Sequence, residues 1–338
     1  MSFRIWTIFY VMAVVAAALT LFGGWGIVVA AVVIGFWAYV YWPTFFPRPV
    51  RRFSGCLVVL IVLGLLAAFL QLSLVNARPA ARRAMCLNNM RQLATALSVY
   101  QATFGKFPPA YLADANGKPM TSWRVLVLPF IDDRVQFNKY DFDKPWDDPA
   151  NQPISSMILA YFRCFSDPSF GPTTNYVAVV GPHTAWPGER GRLESEFTDD
   201  PAETILLIET HGRNVRWAEP RDLTFDEAVD LLSQPFEPGS GHPVDPGFFY
   251  KKSSLFNVAF ADGHVQAIYW PLDRQLAEAL LTADGGERVD LNALATASTP
   301  QLDYAKCWVF AVLVVLVVLP VARLGRRRTA PVTEEHQP

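Results

Sequence analysis

No two of the five histidines, His183, His211, His242, His264 and His336, stand four residues apart beside a glutamate, so the helical zinc-protease pattern is missing. The chain has no glycine-rich phosphate loop and no dinucleotide fingerprint. None of its four cysteines forms a Cys-x-x-Cys redox pair. Ser240 has glycine neighbours in Gly239-Ser240-Gly241-His242, but no strand-like run precedes it, so the segment reads as a loop and not as a nucleophile elbow. Excess positive charge is also lacking: residues 77–303 hold 29 of the 31 acids against 20 of the 29 Lys and Arg, a balance of −9. Phosphate backbones need the opposite sign, so no nucleic-acid partner is expected.

Long apolar runs are what the chain does have. They occupy 5–76 and 307–322 and carry almost no charge. A bilayer core about 30 Å thick needs roughly 20 apolar residues in a helix. Residues 5–42 are too long for one span, and Gly23-Gly24-Trp25-Gly26 breaks them near the middle. Two spans are read there, a third at 55–76 and a fourth at 304–323, with the lipid bilayer as the first partner. Arg4, then Arg48, Arg51 and Arg52, then Arg323, Arg326, Arg327 and Arg328 flank them in alternation. With these arginines cytoplasmic, both termini are inside and 77–303 is outside the cytoplasmic (inner) membrane. The expected division is 1–54 for two spans and a basic loop, 55–76 for the third span, 77–303 for an extracytoplasmic body, 304–323 for the fourth span and 324–338 for a tail. An oxidising compartment permits Cys86 and Cys164 to pair; two buried thiols is the other reading.

Within the body, Cys86, Met90, Leu93, Leu97, Tyr100 and Phe104 recur at steps of four and three, one stripe of an amphipathic helix. It starts near Ala80, and Gly105 with Pro108-Pro109 ends it. Tyr176–Val180, Thr204–Glu209 and Asn214–Trp217 read as short strands. Leu255–Ala261 and His264–Trp270 flank Asp262-Gly263, the signal for a two-residue hairpin turn. That turn puts Phe256, Val258, Phe260, Val265, Ala267 and Tyr269 on one face, expected to pack on the long helix. Asn257, Ala259, Ala261, His264 and Gln266 fall on a wetter face. Pro271 opens a last helix through Leu272, Leu276 and Leu280. A long N-terminal helix against an antiparallel sheet is an α+β arrangement.

Arg82-Arg83, Cys86-x-Asn88-Asn89-x-x-Gln92, Phe107-Pro108-Pro109, Ser122-Trp123-Arg124, Trp146, Asn151, Cys164-x-x-Asp167-Pro168 and Asn175-Tyr176 form a series. It continues with Glu209, Trp217-x-x-Pro220-x-Asp222, Asn257 and Asp262-Gly263. The combination resembles a planctomycete family, domain of unknown function 1559 (DUF1559), whose members look like type II secretion pseudopilins. The resemblance implies a pilin-like fold and no established activity. Two departures stand out. Gly55 is followed by Cys56 and not Phe, and the nearest histidine before Asp262-Gly263 on the strand side is His242, twenty residues upstream.

Candidate sites follow. Asp147, Asp148 and Asn151 offer hard oxygens of the kind Ca²⁺ takes, against a plain solvated turn; no other cofactor is expected. Glu209 and His211, two apart on a strand, read as a metal pair or as a strand-end polar pair. Three functions are carried. The first is a non-enzymatic structural or binding protein of the envelope that meets envelope proteins or polysaccharide. The second is an extracytoplasmic metal-dependent enzyme using Glu209, His211, His242 and Asp262. The third is a minor subunit of a secretion or pilus machine.

Overall fold

The computed structural model describes residues 5–41, 79–234, 241–244, 248–251, 253–287, 289, 293–294 and 299–328. The described chain divides into two units.

The first unit holds three apolar helices, α1 (Ile5–Phe22), α2 (Gly26–Tyr41) and a C-terminal helix (Tyr304–Arg328). A 3-10 turn, Gly23–Trp25, separates α1 from α2, and Gly23 takes a left-handed φ of 56°. The two helices pack so closely that a Cβ at Gly26 would collide with the Ala18 carbonyl. Val14, Ala18, Ala30 and Leu313 form the shared core, and the Tyr10 hydroxyl donates to the Leu316 carbonyl.

The expectation of four spans needs correction. Among the described residues, one helical stretch, Ile8–Phe36, is long and apolar enough to cross a membrane. The physical reason is length. The 16 residues of α2 rise about 24 Å at about 1.5 Å each, short of the roughly 30 Å hydrocarbon core. The span read at 55–76 lies outside the described residues.

The second unit is α+β. Its longest helix, α3, covers residues 79–104 and ends at Gly105, which adopts φ 70° and donates its N–H to the Gln101 carbonyl. Cys86, Met90, Leu93 and Leu97 are fully buried along its inner stripe, as their spacing demands. The main sheet has five strands: β1 (Tyr176–Val177), β2 (Ile205–Glu209), β3 (His242–Val244), β4 (Ser253–Phe260) and β5 (Val265–Tyr269). All pairings in it are antiparallel. The expected strand Tyr176–Val180 is split: Val179–Val180 leaves this sheet to pair in parallel with Leu223–Thr224.

The β4–β5 hairpin departs from the two-residue reading. Phe260 N–H donates to the His264 carbonyl and Gly263 N–H to the Phe260 carbonyl, so the loop is Ala261-Asp262-Gly263. Only Gly263 has a positive φ, 90°, which is the three-residue type I turn with a glycine bulge. One extra loop residue shifts β5 by one place and reverses its faces. Phe256 therefore pairs with Ile268, and Ala259 with Val265.

The face assignments change with it. Ala259, Ala261 and Val265 join Met90, Leu93 and Leu97 of α3 in one core. Phe256, Val258, Phe260 and Ile268 form a second core with helices α4 (Phe225–Ser233) and α5 (Arg274–Leu281). The sheet is thus covered on both faces, and the face expected to be wet carries the long helix. Thr224 and Glu227 build a reciprocal capping box at the start of α4. Asp273 caps α5. Both helices pack Leu232, Leu276 and Leu280 against the sheet.

Candidate functional site

Two strands share one edge of β4. β2 pairs with Val258–Phe260, and β3 pairs with Ser253–Leu255. Asn257 lies between the two segments. At that junction Glu209, the last residue of β2, meets His242, the first residue of β3. The strand connections therefore bring together side chains 33 residues apart in sequence.

The junction is dry: Glu209 and His242 are each 2% exposed and Asn257 is fully buried. His242 Nε2 stands 3.0 Å from both Glu209 carboxylate oxygens. Asn257 donates from Nδ2 to Glu209 Oε2 at 2.5 Å and from its backbone N–H at 3.3 Å. His211 Nε2 is 3.6 Å from Oε1, within ion-pair range and beyond a hydrogen bond, and its buried nitrogen has no hydrogen-bond partner. The His211 and His242 rings meet edge to face, with centroids 5.2 Å apart. Burial acts to raise the Glu209 carboxyl. The adjacent His211 and His242 outweigh it and hold the group at about 2, so it stays anionic.

A disulfide roofs this cluster. Cys86 of α3 is bonded to Cys164, with Cα atoms 4.8 Å apart. His242 Nε2 lies 3.6 Å from Cys164 Sγ. The loop carrying Cys164 is tied down on every side. Asn89 on α3 donates to the carbonyls of Ala160 and Arg163. Asn175 accepts from the Cys164 N–H and donates to Asp167 and to the Thr210 carbonyl. The Tyr176 hydroxyl donates to the Cys86 carbonyl. Asp167 also accepts from the Ser169 and Gly212 N–H groups. Burial opposes its charge, and these hydrogen bonds overcome it and hold its carboxyl below the usual range.

Beside the cluster is an open cleft of about 260 Å³ between α3 and the sheet, lined by Arg83, Leu87, Asn257 and Tyr269 among others. Asn257 belongs to both the cleft and the cluster.

A second buried carboxylate lies elsewhere. Asp222 receives Arg124 Nη2 at 2.5 Å, the Ala178 N–H at 2.8 Å and the Trp123 indole N–H at 3.4 Å. Arg124 is fully buried and also donates to the Tyr176 carbonyl and the Ser122 hydroxyl. Burial pushes Asp222's carboxyl up and Arg124's guanidinium down, while each group holds the other charged.

The remaining expected residues are placed as follows. Asn151 is buried; it accepts from the Asp141 N–H and donates to the carbonyls of Asp141, Lys144 and Pro145, so its amide is spent on the loop. Asp148 accepts from the Ala150 N–H, and Asp147 lies beside it. Asp262 sits in the β4–β5 turn at the far end of β2 from Glu209, paired with His264 at 2.6 Å. Of the four residues in the enzyme reading, three converge and Asp262 does not. Asn88 and Gln92 are exposed on α3, and Trp146 is half-buried. Trp123, Trp186 and Trp217 are fully buried, so they offer no stacking surface for a sugar. Sequence reasoning passed over Asn257 and the Arg124–Asp222 pair as motif residues without roles. Burial of charge was the missing signal, and sequence does not carry it.

Residues 75–225 match the model of a family described as a protein of unknown function (DUF1559). This segment belongs to that family. The DUF1559 match covers Cys86, Cys164, Arg124, Glu209, His211 and Asp222 and stops before His242 and Asn257. The Glu209 centre is therefore completed by residues beyond the matched DUF1559 segment. No curated protein and no solved structure matches the chain.

Proposed function

We propose that this DUF1559 protein is a membrane-anchored, non-enzymatic structural or binding protein of the cell envelope, with a pilin-like body outside the cytosol. The observation that carries the reading is the Cys86–Cys164 disulfide, which fastens the long helix to the loop before the sheet. Such bonds persist in oxidising compartments. The charge distribution supports the same side: the body is acidic and the ends of the apolar helices are basic.

The non-enzymatic reading rests on how the polar groups are used. Glu209, His242 and Asn257 face one another and the disulfide, and Asp222 is consumed by Arg124 and two N–H donors. A catalytic base has to reach a substrate proton, and these groups are turned inward. Partners would be envelope proteins or polysaccharide, met through the exposed acidic surface.

Two measurements on the full-length chain test this. Protease added to intact spheroplasts should remove the body and spare the membrane-embedded fragments. A body protected until the membrane is opened would refute the sidedness. Purified in detergent, the chain should show no enzyme-like turnover on a broad hydrolase panel; turnover lost with the Glu209→Gln change would refute the non-enzymatic assignment.

A further inference from the structure

Buried carboxylates are usually compensated by a permanent cation or by a metal. Among the described residues, Glu209 has neither an arginine nor a lysine as a hydrogen-bond or ion-pair partner. Around it, His211 Nε2 and Asn257 Oδ1 are buried without hydrogen-bond partners among the described residues. Four potential ligand atoms converge here, one each from Cys86, Cys164, Glu209 and His242, all within 4.8 Å of one another. From these facts we infer that, when its disulfide is reduced, the protein binds a thiophilic divalent metal such as Zn²⁺ through Cys86, Cys164, His242 and Glu209.

The spacing fits a tetrahedral site. Bonds of about 2.3 Å to sulfur and about 2.0 Å to nitrogen place a tetrahedral sulfur and nitrogen about 3.5 Å apart. Cys164 Sγ and His242 Nε2 are 3.6 Å apart. Nitrogen and oxygen ligands at about 2.0 Å fall about 3.3 Å apart, close to the 3.0 Å between His242 Nε2 and Glu209. The two sulfurs have to separate once the bond between them is broken, and the ligand atoms that are now up to 4.8 Å apart have to close to about 3.5 Å. Asn257 already orients the Glu209 carboxylate from behind, the role an outer hydrogen-bond partner plays at metal sites. The cleft lined by Asn257 offers a way in. With four protein ligands the site is closed, which is the structural class of zinc centre and agrees with a protein that does no chemistry there.

The chemistry balances with a dithiol reductant. Thiol–disulfide exchange transfers two electrons and two protons to the sulfurs, giving two thiols on the protein and a disulfide on the reductant. Metal binding then displaces two protons as both thiols ligate as thiolates. Exchange with a disulfide oxidant, which takes up two electrons and two protons to become two thiols, re-forms the bond and releases the ion, so the cluster is a covalent staple in one state and a metal staple in the other.

The test uses the full-length chain in detergent with Cys56→Ser and Cys307→Ser, reduced by a phosphine and titrated with Co²⁺. The expected result is one Co²⁺ per chain, with tetrahedral visible bands and a near-ultraviolet sulfur-to-cobalt charge-transfer band, and neither in the oxidised chain. The His242→Ala and Glu209→Gln variants should each weaken binding at least tenfold while keeping one ion per chain at saturation. Should reduction unfold the body, added Co²⁺ or Zn²⁺ should restore its circular dichroism as the band appears. Absence of the band from the reduced chain, with no such restoration, overturns the inference. So does a band of equal affinity in both variants, which would assign the ion to the cysteines alone.

Discussion

The two buried carboxylates of the body are solved in opposite ways. Asp222 faces Arg124, whose guanidinium cannot shed its proton in a protein, and two fixed N–H donors complete its shell. Glu209 faces two imidazoles, an amide and a disulfide. Imidazole changes charge in the physiological range and cysteine changes oxidation state. One centre is a permanent weld between Trp123-Arg124 and the turn before Leu223. The other is made of groups that adapt to what is added or removed.

The largest effect should come from breaking the weld. Asp222→Ala strands Arg124 as a bare charge with no exposure, and loss of one partner of a buried pair costs about 3–5 kcal/mol. Denaturant unfolding of the detergent-solubilised chain at neutral pH should show that loss. Opening the disulfide should cost slightly less. Its cysteines enclose a separation of 78 residues, and replacing both with serine should cost about 2–4 kcal/mol by the same measurement.

Glu209→Gln should be milder, about 1–3 kcal/mol, because the glutamine amide keeps the shape and still hydrogen-bonds in place, and no permanent cation like Arg124 is left bare. Finding the Glu209 change costlier than the Asp222 change would erase the contrast. The pH dependence sharpens it. Glu209's carboxyl is depressed from 4.5 to about 2, so its stabilisation is fully present above 4.5 and is lost as pH falls through about 2. The stability gap between wild type and Glu209→Gln should therefore close as pH falls below 4.5 toward about 2. A gap that widens below pH 4.5 would contradict the assigned shift. Smallest is Thr224→Ala at the start of α4, two residues beyond Asp222. Loss of its capping bond to the Glu227 N–H should cost about 1 kcal/mol and leave the Glu209 centre untouched.

What could be read in the sequence followed distance along the chain. The α3 stripe is a local pattern: Cys86, Met90, Leu93 and Leu97 are buried as it implies, while Tyr100 is half-buried and Phe104 at its end is exposed. The Asp262-Gly263 turn was found, but its loop holds three residues, and that single residue reversed β5 and exchanged the coats of the two sheet faces. Helix α4 was missed although Thr224 and Glu227 spell a capping box, because its apolar residues, Ala228, Val229 and Leu232, are few. The Glu209 centre was legible only as a collection of candidates. His242 reaches it because β2 and β3 share one edge of β4, and nothing near either residue encodes that pairing.

Whether the body lives outside the cytosol is most directly tested by the state of its cysteines in the native membrane. Cells would be quenched with acid and alkylated under denaturing conditions, before and after reduction, and the peptides carrying Cys86 and Cys164 weighed. The account predicts that both resist alkylation until reduction and are recovered joined to each other. Recovery of both as alkylated free thiols without reduction would contradict it.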